Sequence, residues 1–388
     1  MTEHSDPRRA SALHAQATEL EKAGRLADAL AGYRAAAEAD PASPFLRYNI
    51  GNMLRRLQRF QAAIAAYDEA VALRPDLAVA HFMRASCRLQ LGDLVTGFRE
   101  LEWRKNCPGY DDPRYGLARQ WAGEPLAGRS LFIYPELFQG DMLQFARYAR
   151  LAEMAGARVR LAAPEAMHAV LRTLSPSIEL LPADAQPLDY DFACALMSLP
   201  AAFGTSLQRI PQGVYLQAEP QRIARWRARI GGQGLRVGVA WQGSAGAADR
   251  SFPLAALRPL ARTRGVRLIS LQKGGGLDQL DRLPDGMTVE ILGDDFDPGP
   301  DLFVDTAAAM ACCDLFVSPD TSVAHLAGAL GVRTWIALPH LADWRWLQDR
   351  SDSPWYPTAT LFRQPEPGAW TAVFETMARQ LSTSAFGH

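Results

Sequence analysis

Lysine is almost missing from this chain. Lys22, Lys105 and Lys273 stand alone among 41 basic residues, the rest being arginine, a bias of genome composition rather than of a binding surface. The 42 acidic residues bring the formal net charge to −1, so there is no positive excess to serve a general nucleic-acid binder. The arginines from Arg222 to Arg229 read instead as the solvated side of a helix. Cysteine is sparse as well: Cys87, Cys107, Cys194, Cys312 and Cys313 form no Cys-x-x-Cys pair and sit in mostly apolar surroundings. They read as small buried hydrophobes, and neither a zinc site nor a disulfide framework is expected. Apolar runs are broken by charge or glycine well short of a bilayer-crossing length, and Met1-Thr-Glu-His-Ser-Asp-Pro-Arg-Arg9 has no apolar signal core. No membrane span and a cytoplasmic location are therefore expected. What is present, 388 residues of which 48% are hydrophobic, suffices for two or three domains, each with its own core.

After a tail over 1–9, expected to be disordered, residues 10–105 carry a 34-residue period: Leu20 and Leu54, Ala29 and Ala63, Tyr33 and Tyr67, Ala36 and Ala70, Pro41 and Pro75. Small and large apolar residues alternate so that two antiparallel helices interlock and a proline ends the second, which is the tetratricopeptide pattern. A third unit has Ala85 and Gly97 at the small positions. Arg88 and Leu101 break its pattern, and Glu100-Leu-Glu-Trp103 replaces its end, as in a terminal repeat adapted to dock on the next domain.

Residues 106–128 read as a surface linker, and after them the texture changes. Short apolar strands alternate with amphipathic helices. Leu131–Tyr134, Val159–Ala162, Ile178–Leu181 and Phe192–Leu196 make a first set over 129–230, with helices expected from about 141 and from 165. Val237–Trp241, Leu268–Leu271, Val289–Leu292, Leu315–Val317 and Thr334–Leu338 make a second set over 231–388. Two Rossmann-like halves with parallel sheets imply a cleft, with ligands at the carboxyl ends of the strands.

The strand ends facing that cleft supply the candidate residues. Ser318-Pro-Asp-Thr-Ser322 leads into a helix, and its turn offers helix N–H groups and the hydroxyls of Thr321 and Ser322 to a diphosphate. The plainer reading has Asp320 or Thr321 merely capping the helix. His325, one turn on, faces either the site or the sheet. Gln242 and Arg250 follow one strand, Gln272 and Lys273 another, and one cation beside the helix start can hold a departing diphosphate without metal. Lys273 reads equally as a solvated loop side chain. In the first half, Gly140 and Asp141 begin a helix where Asp141 is placed to deprotonate an acceptor hydroxyl, although Asp141 with Gln144 also matches a capping box. Gly140, Trp241, Trp344 and Trp346 are candidate pocket walls, the tryptophans alternatively being buried cover for the sheet. The Asp-x-Asp in Asp294-Asp295-Phe-Asp297 would suit a metal-bound donor but sits in a peripheral-looking loop, and no metal or other cofactor is expected.

Gly97-Phe-Arg-Glu-Leu-Glu-Trp-Arg104, Trp121-Ala-Gly-Glu-Pro-Leu-Ala-Gly128, Gly140-Asp-Met-Leu-Gln-Phe-Ala-Arg-Tyr148, Ser270-Leu-Gln-Lys273, Asp320-Thr-Ser-Val-Ala-His325 and its continuation to Gly331, Asp343-Trp-Arg-Trp-Leu347 and Ser353-Pro-Trp-Tyr-Pro357 together carry a resemblance. The chain resembles bacterial proteins that fuse tetratricopeptide repeats to a GT-B glycosyltransferase domain related to glycosyltransferase family 9, the heptosyltransferases. The resemblance implies an α-helical repeat domain followed by an α/β GT-B fold. It implies Asp141 as catalytic base, Asp320, Thr321 and Ser322 as donor-binding residues, and Arg250 as the basic residue after the first strand of the second half. It further implies a nucleotide-sugar co-substrate and a polypeptide acceptor or partner held by the repeats. The rival readings are a lipid-linked or lipopolysaccharide saccharide acceptor and a non-catalytic scaffold on a decayed transferase. Phe138-Gln-Gly-Asp141 departs from the family's usual Gly-Leu-Gly-Asp turn. O-GlcNAc transferase has a similar pairing of domains, but of its asparagine ladder only Asn49 is matched, with Ala15 and Met83 at the equivalent positions.

Overall fold

The computed structural model describes residues 6–117, 119–136, 138–244 and 249–385, and these form two compact units. The first comprises the residues up to Pro113 together with Gly204–Arg209 and Asp343–Gln348. The second comprises Arg114–Phe203, Ile210–Ala342 and the chain from Asp349.

The first unit is built from helix pairs: α1 (Pro7–Lys22) with α2 (Leu26–Ala39), α3 (Pro44–Arg56) with α4 (Phe60–Leu73), and α5 (Ala78–Gln90) with α6 (Leu94–Leu101). Ala29, Tyr33, Ala36, Leu54, Ala63, Tyr67 and Ala70 are buried at the helix contacts, where small residues let neighbouring helices approach. The period recurs in the backbone, because the turn inside each pair needs one residue at positive φ. Gly24 (75°) and Gly92 (86°) fill it in the outer repeats, and Gln58 takes it at 57° in the middle one, a conformation that costs a non-glycine residue about 1 kcal/mol or more. The expected tail is shorter than 1–9: Asp6 accepts from the Arg9 amide at 3.1 Å and Pro7 opens α1, so capping draws Pro7–Arg9 into the helix. Residues 1–5 lie outside the described ones.

The third repeat ends differently from the others. α6 is short and runs into a 3₁₀ turn over Glu102–Asn106, which lays Trp103 on His81. Glu100, 8% exposed, collects His81, Arg84 and Arg88. The segment Asp343–Gln348 joins this unit, with Trp344 edge-on to Phe98 at 5.5 Å and the Leu347 carbonyl accepting from Gln90 at 2.7 Å.

The second unit contains two all-parallel sheets. In the first half, β1 (Ser130–Tyr134), α7 (Gln139–Met154), β2 (Arg158–Ala163), the single-turn α8 (His168–Leu171), β3 (Glu179–Pro182), β4 (Phe192–Ala195) and α9 (Leu199–Ala202) give the sheet order β3-β2-β1-β4. The helix expected from 165 is thus only a 3₁₀ turn and α8. α10 (Pro220–Ile230) leads to β5 (Leu235–Val239), α11 (Arg258–Ala261), β6 (Val266–Ser270), β7 (Val289–Ile291), α12 (Val304–Met310), β8 (Leu315–Pro319), α13 (Ser322–Ala329), β9 (Thr334–Leu338), β10 (Ala359–Arg363) and α14 (Trp370–Ala385). Their sheet order is β10-β9-β8-β5-β6-β7.

Both orders reverse direction beside the first strand of their half, between β1 and β4 and between β5 and β8. Such switch points leave a crevice above the strand ends. The linker is not confined to a surface either. Its latter part belongs to the α/β unit, where Trp121 donates its amide to the Ala193 carbonyl at 2.8 Å and is 6% exposed. Among the described residues, no helix is long and apolar enough to cross a membrane.

Candidate functional site

The crevice side of the second half is formed where β8, buried along its whole length, turns into α13. Thr321 is the N-cap residue, in extended backbone (φ −140°, ψ 175°), yet its side chain makes no capping hydrogen bond. The Thr321 hydroxyl is thus not consumed as a cap, although Thr321 does occupy the N-cap position. Thr321 and Ser322 are half-buried at this helix start, a position that suits an anion. Ser322 opens the helix beside it.

On the opposite side, α7 begins after Phe138, which is its N-cap residue and is 69% exposed. Asp141 therefore sits inside the first turn rather than at the cap, and the capping-box reading with Gln144 fails by register. Asp141 is 7% exposed. The two helix starts meet directly, since a Cβ on Gly140 would lie 3.1 Å from the His325 ring and 3.8 Å from the Ser322 Cα. Glycine here is a condition of that approach. Two positive helix ends and one carboxylate are thereby gathered at one place.

His325 faces this junction rather than the sheet. It is 4% exposed, its Nδ1 is 2.9 Å from the Tyr356 hydroxyl, and its Nε2 is 3.9 Å from Asp320 Oδ1. Asp320 is buried, and its Oδ2 lies 3.6 Å from Arg250 Nη1, whose side chain is 42% exposed. Arg250, Asp320, Thr321, Ser322, His325, Gly140 and Asp141 form one neighbourhood.

The remaining candidates have other duties. Gln272 ties two loops together: its Oε1 accepts from the Trp241 and Gln242 amides at 2.9 and 3.1 Å, and its Nε2 donates to the carbonyls of Gln242, Gly275 and Lys273. Gln242 receives a hydrogen bond from Gln279. Lys273 is exposed, and its ammonium donates to the Phe296 carbonyl at 2.7 Å. Residues 245–248 of the Gly-rich loop lie outside the described ones.

Trp241 is no pocket wall. It continues the inward alternation of Val237 and Val239, is fully buried in the core of the second half, and donates Nε1 to the Gly276 carbonyl. Trp344 and Trp346 belong to the repeat unit, 7% and 0% exposed, and offer no face to a ligand. In the acidic loop, Asp295 pairs with Arg225 and Arg229, while Asp297 accepts the amides of Asp305 and Thr306 at the start of α12. Those arginines are thus tethered rather than simply solvated. Burial pushes the Cys87 and Cys313 thiols up to about 12, which removes them as nucleophiles at neutral pH.

Arg147 and Tyr356, quoted in the motifs above without a role of their own, complete the surroundings together with Glu136. Arg147 on α7 is 3% exposed and donates to the carbonyls of Gln144, Pro211 and Trp355 and to the Tyr215 hydroxyl. Glu136, just past β1, accepts from Tyr115 and from the Met197 amide and so joins the ends of β1 and β4. The signal for Tyr356 was Gly328, one turn after His325, which must stay small to admit the ring.

Among known proteins, the tetratricopeptide repeat family model matches residues 14–78. Protein FlbA of Caulobacter vibrioides is 24% identical over 427 aligned residues, covering 93% of this chain and 71% of that protein. The solved structure of Escherichia coli ADP-heptose lps heptosyltransferase II is similar over 66% of this chain and 99% of its own, with 14% identity and a TM-score of 0.47. The crystal structure of the glycosyl transferase family 9 protein from Veillonella parvula DSM 2008 is similar over 69% of this chain and 91% of its own, with 9% identity and a TM-score of 0.47. The tetratricopeptide repeat model thus covers part of the N-terminal helix pairs, and the chain continues into an α/β unit with two parallel sheets.

Proposed function

We propose that this protein is a glycosyltransferase that moves a sugar from a nucleotide-sugar donor to an acceptor hydroxyl with inversion and without a metal. The observation that carries the reading is the meeting of the α7 and α13 starts at Gly140 and His325, with Asp141 on one side and Arg250–Asp320 on the other. In this reading the donor diphosphate lies on the first turn of α13, hydrogen-bonded by Thr321 and Ser322 and paired with Arg250. Asp141 accepts the proton of the acceptor hydroxyl as its oxygen attacks the anomeric carbon. The bond from that carbon to the diphosphate oxygen breaks, and its electron pair leaves with the nucleotide. Arg250 and the helix dipole stabilise the charge that develops there, which is the part a metal ion would otherwise play. The tetratricopeptide repeats recruit the acceptor, a polypeptide.

A thermal-shift panel of UDP, ADP, GDP and CMP, with and without their sugars, tests the donor site. One nucleotide should raise the melting temperature in the unaltered chain and fail to do so in Thr321→Val. With that donor, Asp141→Asn should keep the shift and lose transfer. Full transfer activity in Asp141→Asn would end the catalytic assignment, and no shift with any nucleotide would end the donor-site reading.

A further inference from the structure

A line of side chains runs from the interior of the α/β unit to its surface at the β8–α13 turn. At its inner end, the Arg147 guanidinium lies 4.8 Å from the Tyr356 ring centroid, held there by carbonyls and by the Tyr215 hydroxyl. Gly328 closes on the same ring, where a Cβ would come within 2.3 Å. Tyr356 is 1% exposed, and its hydroxyl lies 2.9 Å from His325 Nδ1. Beyond the imidazole come Asp320 and then Arg250, at 3.9 and 3.6 Å. Every member before Arg250 is buried.

The chemistry of the middle link is set by its neighbours. A neutral imidazole carries its proton on one nitrogen, and the choice depends on the partner of the other. A carboxylate 3.9 Å from Nε2 is beyond hydrogen-bond reach and only biases the proton toward it; the bias holds when the Tyr356 hydroxyl, 2.9 Å away, donates to Nδ1. Asp320 is then flanked by an N–H on one oxygen and a guanidinium on the other. So buried a carboxylate acts on its neighbours more than on a ligand, and the neighbour at its Oδ2 is Arg250.

We infer that Tyr356 is a positioning residue, which fixes the Nε2–H tautomer of His325 and through Asp320 aims Arg250 at a diphosphate. The diphosphate rests on the function proposed above; the tautomer does not. Tyr356→Phe removes the hydroxyl and keeps the ring that Arg147 and Gly328 hold.

The test uses the full chain labelled with nitrogen-15 in histidine, His325 being assigned by its loss in His325→Ala, and a titration with inorganic pyrophosphate. In the unaltered chain the His325 proton should reside on Nε2, and in Tyr356→Phe both tautomers should be populated. Pyrophosphate affinity should fall by about tenfold, the scale of one lost hydrogen bond. Tyr356→Phe should cause no further loss once His325 is alanine. A proton on Nδ1 in the unaltered chain would overturn the inference without recourse to any variant. So would an equal loss from Tyr356→Phe in the His325→Ala background. A chain that ignores pyrophosphate would remove the diphosphate and with it the role of Arg250, while the tautomer would still decide the role of Tyr356.

Discussion

Asp297 and Asp305 accept each other's backbone amides: Asp305 N donates to Asp297 Oδ1 at 2.6 Å, and Asp297 N donates to Asp305 Oδ2 at 3.1 Å. This clasp fixes the loop before α12 to the helix itself. Asp305 Oδ1 also receives the Trp226 indole at 2.9 Å and Arg222 at 2.8 Å, which ties α10 to the same point. Burial alone would push the Asp305 carboxyl up; these donors outweigh it and hold it below the ordinary carboxylate range.

A depressed folded value means that Asp305 stabilises the unit fully above its unfolded pKa, about 3.9, and that this contribution disappears as pH falls through the lower folded value. Asp305→Asn should therefore be clearly less stable than the unaltered chain at pH 7, with the gap closing toward pH 3. Urea unfolding across that range checks it, and a gap independent of pH would contradict it.

Glu100 is the shared acceptor of three converging donors in the third repeat, His81, Arg84 and Arg88. Its side chain is 7% exposed and that of Arg84 13%. Glu100→Ala strips these largely buried groups of their common carboxylate and should cost the repeat unit about 3–5 kcal/mol. Hydrogen exchange should show protection lost over α5, α6 and the Trp103 turn, and unchanged protection there would contradict the assignment.

Gly328→Ala places a methyl group inside the Tyr356 ring, at 2.3 Å. Both partners are buried, so the helix or the ring must move, at about 1–3 kcal/mol. A fall of several degrees in melting temperature, together with a disturbed His325 resonance, is expected; a neutral effect on both would show that the contact is looser than the geometry gives.

The repeats were readable because their contacts are local. Ala29, Tyr33 and Ala36 meet partners in the same or the next helix, so spacing along the chain reports packing directly. Most strands were readable as apolar runs, but β10 was not: Ala359-Thr-Leu-Phe-Arg363 interrupts its apolar residues with Thr360 and ends in Arg363. α12 escaped because Val-Asp-Thr-Ala-Ala-Ala-Met shows no face; all but its first residue are buried. At the site, residue type was legible and direction was not. Trp241 fell on the core side by the parity of its strand, and Trp344 and Trp346 went to the repeat unit. Asp141 stood out by residue type, yet its place inside the turn depended on a register that puts the cap at Phe138. Tyr356 and Arg147 matter through partners 31 and 208 residues away, a separation to which no local pattern is sensitive.

The partners of Arg147 also govern how the chain can be made. Its guanidinium reaches carbonyls at 144, 211 and 355, so two of its three carbonyl acceptors lie far ahead of it in the order of synthesis. A nascent first half that has emerged from the ribosome alone must keep this cation in water, and with it the stretch of α7 that would otherwise be covered. Burial of that face awaits translation past Trp355. The Arg147 face of α7 is therefore closed late, by the segment around Trp355, and a fragment ending before it carries an exposed seam that invites capture by chaperones or by other unfinished chains.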